Sequence, residues 1–195
     1  MQLVLASNNA KKIAEIRALL PGIDLLSLQD AGFTAEIPEP FDTFRKNAAH
    51  KAETIYRFCG LPTLADDSGL CVDALGGAPG VFSARYSGTP TDDRRNNEKL
   101  LAEMTGSTER SAYFTCVIAL AGIGAETLFF EGRMPGTIAD SIAGAGGFGY
   151  DPLFIPEGET QTLAALPPSF KATHSHRARA LDLLKNFIRQ TLPPL

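Results

Sequence analysis

Residues Leu64 to Gly88, LADDSGLCVDALGGAPGVFSARYSG, constrain the chain more than any other stretch. An apolar run stops at two adjacent carboxylates, Asp66 and Asp67, followed at once by Ser68 and Gly69. A loop with Gly76, Gly77 and Gly80 comes next, and then the basic side chain of Arg85. Carboxylates at a strand end suit a hard cation such as Mg²⁺, which takes oxygen ligands and keeps several waters. Glycines beside hydroxyls suit phosphate oxygens, because bare backbone N–H groups approach them closely. The combination points to a metal–phosphate site. Acidic residues at a strand end also form turns and cap helices, and this stretch alone leaves both readings open.

Upstream, Leu3 to Ala6 predicts a buried first strand that ends at Ser7-Asn8-Asn9. A helix follows, with Ile13, Ile16, Leu19 and Leu20 at helical spacing and Pro21-Gly22 closing it. Strand, polar turn and helix together turn backbone N–H groups toward an anion, with Ser7, Asn9 and Lys12 as further donors. The alternative is that Ser7 or Asn8 merely caps the helix. Asp24 to Leu28 predicts a second strand, and Glu36 to Pro40 an acidic, proline-interrupted loop that includes Glu39. A helix from near Asp42 or Thr43 carries Phe44, Ala48, Ala52 and Ile55 as its buried stripe. It places Asn47 and Lys51 on one face; a lysine there is either solvated or directed at a site.

Downstream, Asp92 to Met104 predicts a helix ended by Gly106, and Ala112 to Ala121 a strand. Gly122 to Ala125 turns that strand into Glu126 to Glu131 as a hairpin. Thr137 to Ile142 predicts another strand. A last helix over about Ser175 to Leu192 faces Leu181, Leu184, Phe187 and Ile188 inward and stops at Pro193-Pro194. Helices between early strands and a hairpin later predict an α/β fold on a mixed sheet. At 195 residues, with 44% hydrophobic and 21% charged content, one soluble globular domain is expected. The net charge of −4 excludes duplex nucleic acid as the main partner but not a nucleotide, which needs only a few local cations. Cys59, Cys71 and Cys116 form no CxxC pair, the pattern of reduced thiols in a cytoplasmic protein. No apolar run reaches the length that crosses a bilayer, and the N-terminus has the reverse order of a signal peptide.

Gly144 to Gly149 spells GxGxxG, but Tyr150-Asp151-Pro152-Leu153-Phe154 follows it as turn and strand where a dinucleotide site needs a helix. No Walker A sequence and no DxD nucleophile motif occurs. Four ordered stretches do form a recognisable set: SNNAKK at Ser7–Lys12, ADDSGL with GGAPG and SARYSG, GGFGYDP at Gly146–Pro152, and SHRARAL at Ser175–Leu181. Together they resemble the inosine triphosphate pyrophosphatase family, and they span nearly the whole chain.

The resemblance implies a single two-lobed domain over residues 1–195, built on a central mixed β-sheet flanked by helices, with the active site in the cleft between lobes. It implies a homodimer, a requirement for Mg²⁺, and hydrolysis of ITP, dITP or XTP to the monophosphate and pyrophosphate, which cleanses the nucleotide pool. Ser7, Asn8, Asn9, Ala10, Lys11 and Lys12 would hold the triphosphate, with Lys51 a further phosphate contact. Asp67 would be metal ligand and general base, Glu39 the second metal ligand, and Ser68 would lie beside the substrate. Phe148, Gly149, Tyr150, Asp151, Lys171, His176 and Arg177 would surround base and sugar. Phe170 and Ala172 flank Lys171 where the family usually has an acidic residue and often Asn, and His174 is an addition; these bear on the base pocket more than on the reaction. A Maf-type pyrophosphatase would lack FGYDP and the SHR helix. A nucleotide-binding regulator without turnover would gain nothing from the paired carboxylates. Base selection would rest on Arg177, a donor-only side chain suited to O6 of hypoxanthine or xanthine; the alternative is a helix N-terminal residue pointing at solvent.

Overall fold

The computed structural model describes residues 2–191. Leu3, Val4 and Leu5 are buried in strand β1 (Gln2–Leu5). Helix α1 (Ala10–Leu19) starts at Asn9, not at Ser7 or Asn8: the Asn9 side chain accepts from the Lys11 and Lys12 amides, two donors the first turn otherwise leaves open. Strand β2 (Asp24–Leu26) runs parallel to β1, with Leu25 opposite Leu3. It ends before the expected Leu28 because Ser27 turns its N–H and hydroxyl onto the Asp30 carboxylate. Helix α2 (Phe44–Cys59) is capped by the Thr43 side chain and closes at Gly60 in the left-handed conformation.

Strand β3 (Thr63–Val72) also pairs parallel with β1, Thr63 opposite Val4. Helix α3 (Asp93–Glu103), capped by Asp92, precedes strands β4 (Ser111–Ala121) and β5 (Leu128–Ile138). Strand β6 (Phe154–Pro156) runs antiparallel to β5, Ile155 opposite Thr137. Helices α4 (Pro168–His174) and α5 (His176–Thr191) complete the order. The sheet has six strands in the order β2-β1-β3-β4-β5-β6, so the mixed α/β architecture is as expected. Among the described residues no helix is long and apolar enough to cross a membrane.

Three local expectations need correction. Asp66 and Asp67 do not end a strand; β3 runs through them to Val72. Thr137 and Ile138 close β5 instead of opening a new strand, since the Arg110 guanidinium takes the Ile138 and Ala139 carbonyls at 2.6 and 2.7 Å. A separate α4 precedes the last helix, with Ser175 extended between them. The expected stop at Leu192 and Pro193-Pro194 lies outside the described residues.

The chain groups into two compact units. One holds residues up to Asp67, Cys116–Gly132 and the chain from Arg177; the other holds Ser68–Thr115 and Arg133–His176. In the first unit the strands alternate. Leu3, Leu5, Leu64, Cys116, Ile118 and Leu120 pack with Ile16 and Leu20 of α1 and Leu181 and Leu184 of α5. Val4, Ala6, Ala65, Val117 and Ala119 pack on the other side with Ala48, Ala52 and Ile55 of α2. Strands covered on both faces read as continuous apolar runs, which is why β1 and β4 stand out in the sequence. The second unit closes over Leu70, Val72, Leu100, Met104, Phe114, Met134 and Phe154. Adjacent residues of α5 test this packing: Leu184 is fully buried and Leu183 is 49% exposed. Leu184→Ala is expected to lower unfolding free energy in urea by about 2–5 kcal/mol, and Leu183→Ala by less than about 0.5 kcal/mol.

Candidate active site

Successive residues of a strand point to opposite faces, so Asp66 and Asp67 cannot share one environment. Asp66 follows Leu64 onto the side of α1 and α5. Lys12, one turn into α1, places Nζ 3.0 Å from Asp66 Oδ1. Arg177, at the start of α5, donates to Asp66 Oδ2 from Nη2 at 3.0 Å and from Nε at 3.3 Å, and pairs with Glu15 through Nη1. The Cys116 thiol on β4 donates to the same oxygen at 3.4 Å. Burial pushes the Asp66 carboxyl up, but Lys12, Arg177 and Lys51 outweigh it and hold it well below the usual carboxylate range. Two anions and two cations thus close a buried, balanced cluster.

Asp67 follows Ala65 onto the side of α2. Lys51 Nζ lies 3.9 Å from Asp67 Oδ1, donates to the Asp66 carbonyl at 2.8 Å and bonds to Glu39 Oε1. Burial dominates here and pushes Asp67 up to about 6, against the pull of Lys51 and Lys12, while Glu39 and Asp66 add to the rise. Lys51 itself is buried, which disfavours its charge, yet Asp67, Glu39 and Asp66 raise its pKa overall. The solvated reading of Lys51 is therefore overturned. So is the solvent-facing reading of Arg177, which is 1% exposed.

Within the second unit, the turn Gly147–Asp151 is closed by one carboxylate. Asp151 Oδ2 accepts from the Phe148 amide at 2.8 Å and from Lys171 Nζ at 2.7 Å. Lys171 Nζ also lies 4.1 Å from the centre of the half-buried Phe148 ring. The buried His176 ring stacks on Phe114 at 4.9 Å between centroids. No helix follows Gly149, so the GxGxxG spelling marks no dinucleotide site.

The structure therefore gathers Lys12, Asp66 and Arg177 into one group, Glu39, Lys51 and Asp67 into a second, and Phe148, Asp151 and Lys171 into a third. Ser7 and Asn9 shape the turn before α1, the Ser7 hydroxyl accepting from the Asn9 amide at 3.2 Å; Asn8, Ala10 and Lys11 are exposed beside them, and Ser68 is half-buried on β3. Glu15 and Cys116 were missed. Glu15 sits three residues after Lys12, hence on the same helix face, a signal that was readable. Nothing local marks Cys116.

The opposite shifts act on stability in opposite directions. Asp66 contributes stability that is fully present above its ordinary value of 3.8 and is lost as pH falls through its depressed folded value. Asp67 works the other way: its ionised form is disfavoured by folding, so its effect on stability grows adverse as pH rises from 3.8 to about 6. Carboxyl ¹³C NMR of the metal-free protein is expected to place the Asp67 midpoint near 6 and Asp66 below the ordinary range. Coincident midpoints near 4 would remove this electrostatic picture.

Residues 3–187 match the model of the Ham1 family. A dITP/XTP pyrophosphatase of Geobacter sulfurreducens is 49% identical over 96% of both chains, and one of Shouchella clausii is 46% identical over 98% of both. The solved structure of the Staphylococcus aureus Ham1 protein is 38% identical and covers 97% of this chain and 99% of its own, with a TM-score of 0.91. A nucleoside-triphosphatase and dITP/XTP pyrophosphatase from Mycobacterium abscessus is 45% identical over 94% of this chain and 98% of its own, with a TM-score of 0.80. Match over nearly its whole length, at these identities, makes this chain a member of the Ham1 family.

Proposed function

We propose that the chain hydrolyses nonstandard purine nucleoside triphosphates, ITP, dITP and XTP, to the monophosphate and pyrophosphate. The observation that carries this reading is the buried Asp66-Asp67 pair, each carboxylate facing its own lysine, in a chain whose relatives bear the name dITP/XTP pyrophosphatase. Lys12 and Lys51, with the turn Ser7–Lys11, supply the positive and polar groups a triphosphate needs. Asp67, its pKa pushed up to about 6, is suited to accept a proton near neutral pH. Water attacks the α-phosphorus and passes its proton to Asp67. The bond from that phosphorus to the bridging oxygen breaks, and pyrophosphate leaves with the electron pair.

Glu39 and Asp67 fit a Mg²⁺ ion. They are two carboxylates around one ammonium, Asp67 is held up partly by Glu39, and Mg²⁺ ordinarily takes one or two carboxylates together with substrate phosphates. When bound, the ion would neutralise triphosphate charge and stabilise the departing pyrophosphate. Phe148 offers a stacking face for the base, while Lys171 and Asp151, with His176 and the Gly149 and Tyr150 backbone, offer polar groups for its edge and the sugar. The resemblance gives Arg177 the O6 of hypoxanthine or xanthine, a contact for which it would have to turn from Asp66 and Glu15, which its nitrogens hold; Arg177→Ala is then expected to cost ITP and XTP more than ATP, and an equal loss would confine it to holding Asp66. A homodimer is proposed from the resemblance, with sedimentation velocity as its test.

Phosphorus NMR of a reaction with ITP and Mg²⁺ is expected to show pyrophosphate and monophosphate appearing together. Stepwise orthophosphate release would reject the reading. Asp67→Asn is expected to nearly abolish turnover with the fold intact. Lys12→Ala and Lys51→Ala are each expected to lower kcat/KM on the order of 10²-fold or more, the scale of a group that stabilises transferring charge.

A further inference from the structure

Helix α3 buries Asn96, Asn97 and Leu100, so two of its three buried side chains are amides. A buried amide persists where its hydrogen bonds are made, and the partners tell what the face holds. Asn96 ties down the segment after Gly80: its Oδ1 accepts from the Ser87 amide at 2.7 Å and hydroxyl at 2.8 Å, and its Nδ2 donates to the Ala84 carbonyl at 3.0 Å. Asn97 reaches a different segment. Its Nδ2 donates to the Gly149 carbonyl at 2.8 Å and to the Asp93 carbonyl at 2.7 Å. One turn earlier on α3, Asp93 Oδ2 accepts from the Gly149 amide at 3.0 Å. Both the N–H and the C=O of Gly149 are thus held from one helix face.

Gly149 has φ +62, in the left-handed region, with nothing within 4 Å of the place a Cβ would occupy. It has no side chain of its own to pack, and glycine is the residue with most conformational freedom to lose. The turn's own bonds, from Asp151 to the Phe148 amide and carbonyl and to Lys171, close around Gly149 but engage neither its N–H nor its C=O. The glycine's own N–H and C=O are held from outside the turn, by α3, and Tyr150 is tied down beside it, its hydroxyl donating to the Ser83 carbonyl at 2.9 Å.

We propose that Asp93 and Asn97 are positioning residues for base recognition, clasping Gly149 so that Phe148 and the Lys171–Asp151 pair keep the arrangement a purine base requires. The inference rests on the reading above that this turn meets the base. With the clasp removed, Gly149 samples other conformations, and a substrate that gains from the ordered turn loses more than one that gains little. The loss falls on KM more than on kcat, because Lys12, Lys51 and Asp67 are untouched.

The test is kcat/KM for ITP and ATP in the parent, Asn97→Ala, Asp93→Ala, Asp93→Asn and Phe148→Ala, all as full chains with Mg²⁺. Asn97→Ala and Asp93→Ala are expected to lower the ITP-to-ATP ratio roughly 5- to 100-fold, the span of a lost buried hydrogen bond, chiefly through KM for ITP. Asp93→Asn keeps an acceptor for the Gly149 amide and is expected to stay within about 3-fold of the parent ratio. Asp93 is exposed, so its variants fold even if Asn97→Ala does not. Ratios at the parent value in both alanine variants, with Phe148→Ala lowering it, overturn the positioning role alone. An unchanged ratio in Phe148→Ala as well overturns the base-reading turn and this inference with it.

Discussion

Placing an ionised carboxylate in the middle of a buried strand costs several kcal/mol in lost hydration unless cations and hydrogen bonds replace the water. Asp66 occupies such a position in β3, and Lys12 and Arg177 meet it from two different helices. That requirement links elements far apart in the chain: α1 must arrive with Lys12 facing the strand, and α5 must begin within reach of it. Glu15 pairs with the other side of the Arg177 guanidinium, so two carboxylates face two cations. Each member lowers the cost of burying the others, so the cluster's contributions are coupled and not additive.

The period of two along β3 then does the rest. Asp67, one residue on, meets a different helix and the Lys51 ammonium, which is shared with Glu39. Two neighbouring residues of the same type acquire opposite pKa shifts, one carboxylate fixed as an anion and one poised near neutrality. The first is suited to structure and charge placement, the second to moving a proton. Identity of side chain decides little here; the face of the sheet decides it.

Periodicity made the first unit legible. The apolar runs of β1 and β4 and the helical spacing in α1, α2 and α5 all mark elements that bury a face, and burial is what sequence patterns record. The polar tetrad Asp66-Asp67-Ser68-Gly69 read as the end of a strand because strand propensity counts it as a break; only the cations, contributed from positions 12, 51 and 177, let the ladder continue. Thr137 to Ile142 read as a strand of its own, whereas Arg110 takes the Ile138 and Ala139 carbonyls and stops the ladder there. The grouping of Lys12 with Lys51 around adjacent carboxylates was legible through the ordered motifs, each weak alone. Asn96 and Asn97 were not, since two amides in a strongly polar helix look solvated until their distant partners are known.

The GxGxxG spelling at Gly144–Gly149 shows how one string of letters answers to different physics. In a dinucleotide site the glycines let a pyrophosphate approach backbone amides at a helix N-terminus. Here a Cβ on Gly144 would lie within 2.7 Å of atoms of the Ala164–Ala165 peptide, and one on Gly147 would overlap the Asp151 carboxylate. The crowding partner in each case is the protein itself, and at Gly147 it is the very carboxylate that holds Lys171 and the Phe148 amide. A side chain at Gly147 would therefore displace Asp151 before any ligand arrived. Gly144 and Gly147 are needed for a compact, self-closed turn that presents an aromatic ring and an ion pair.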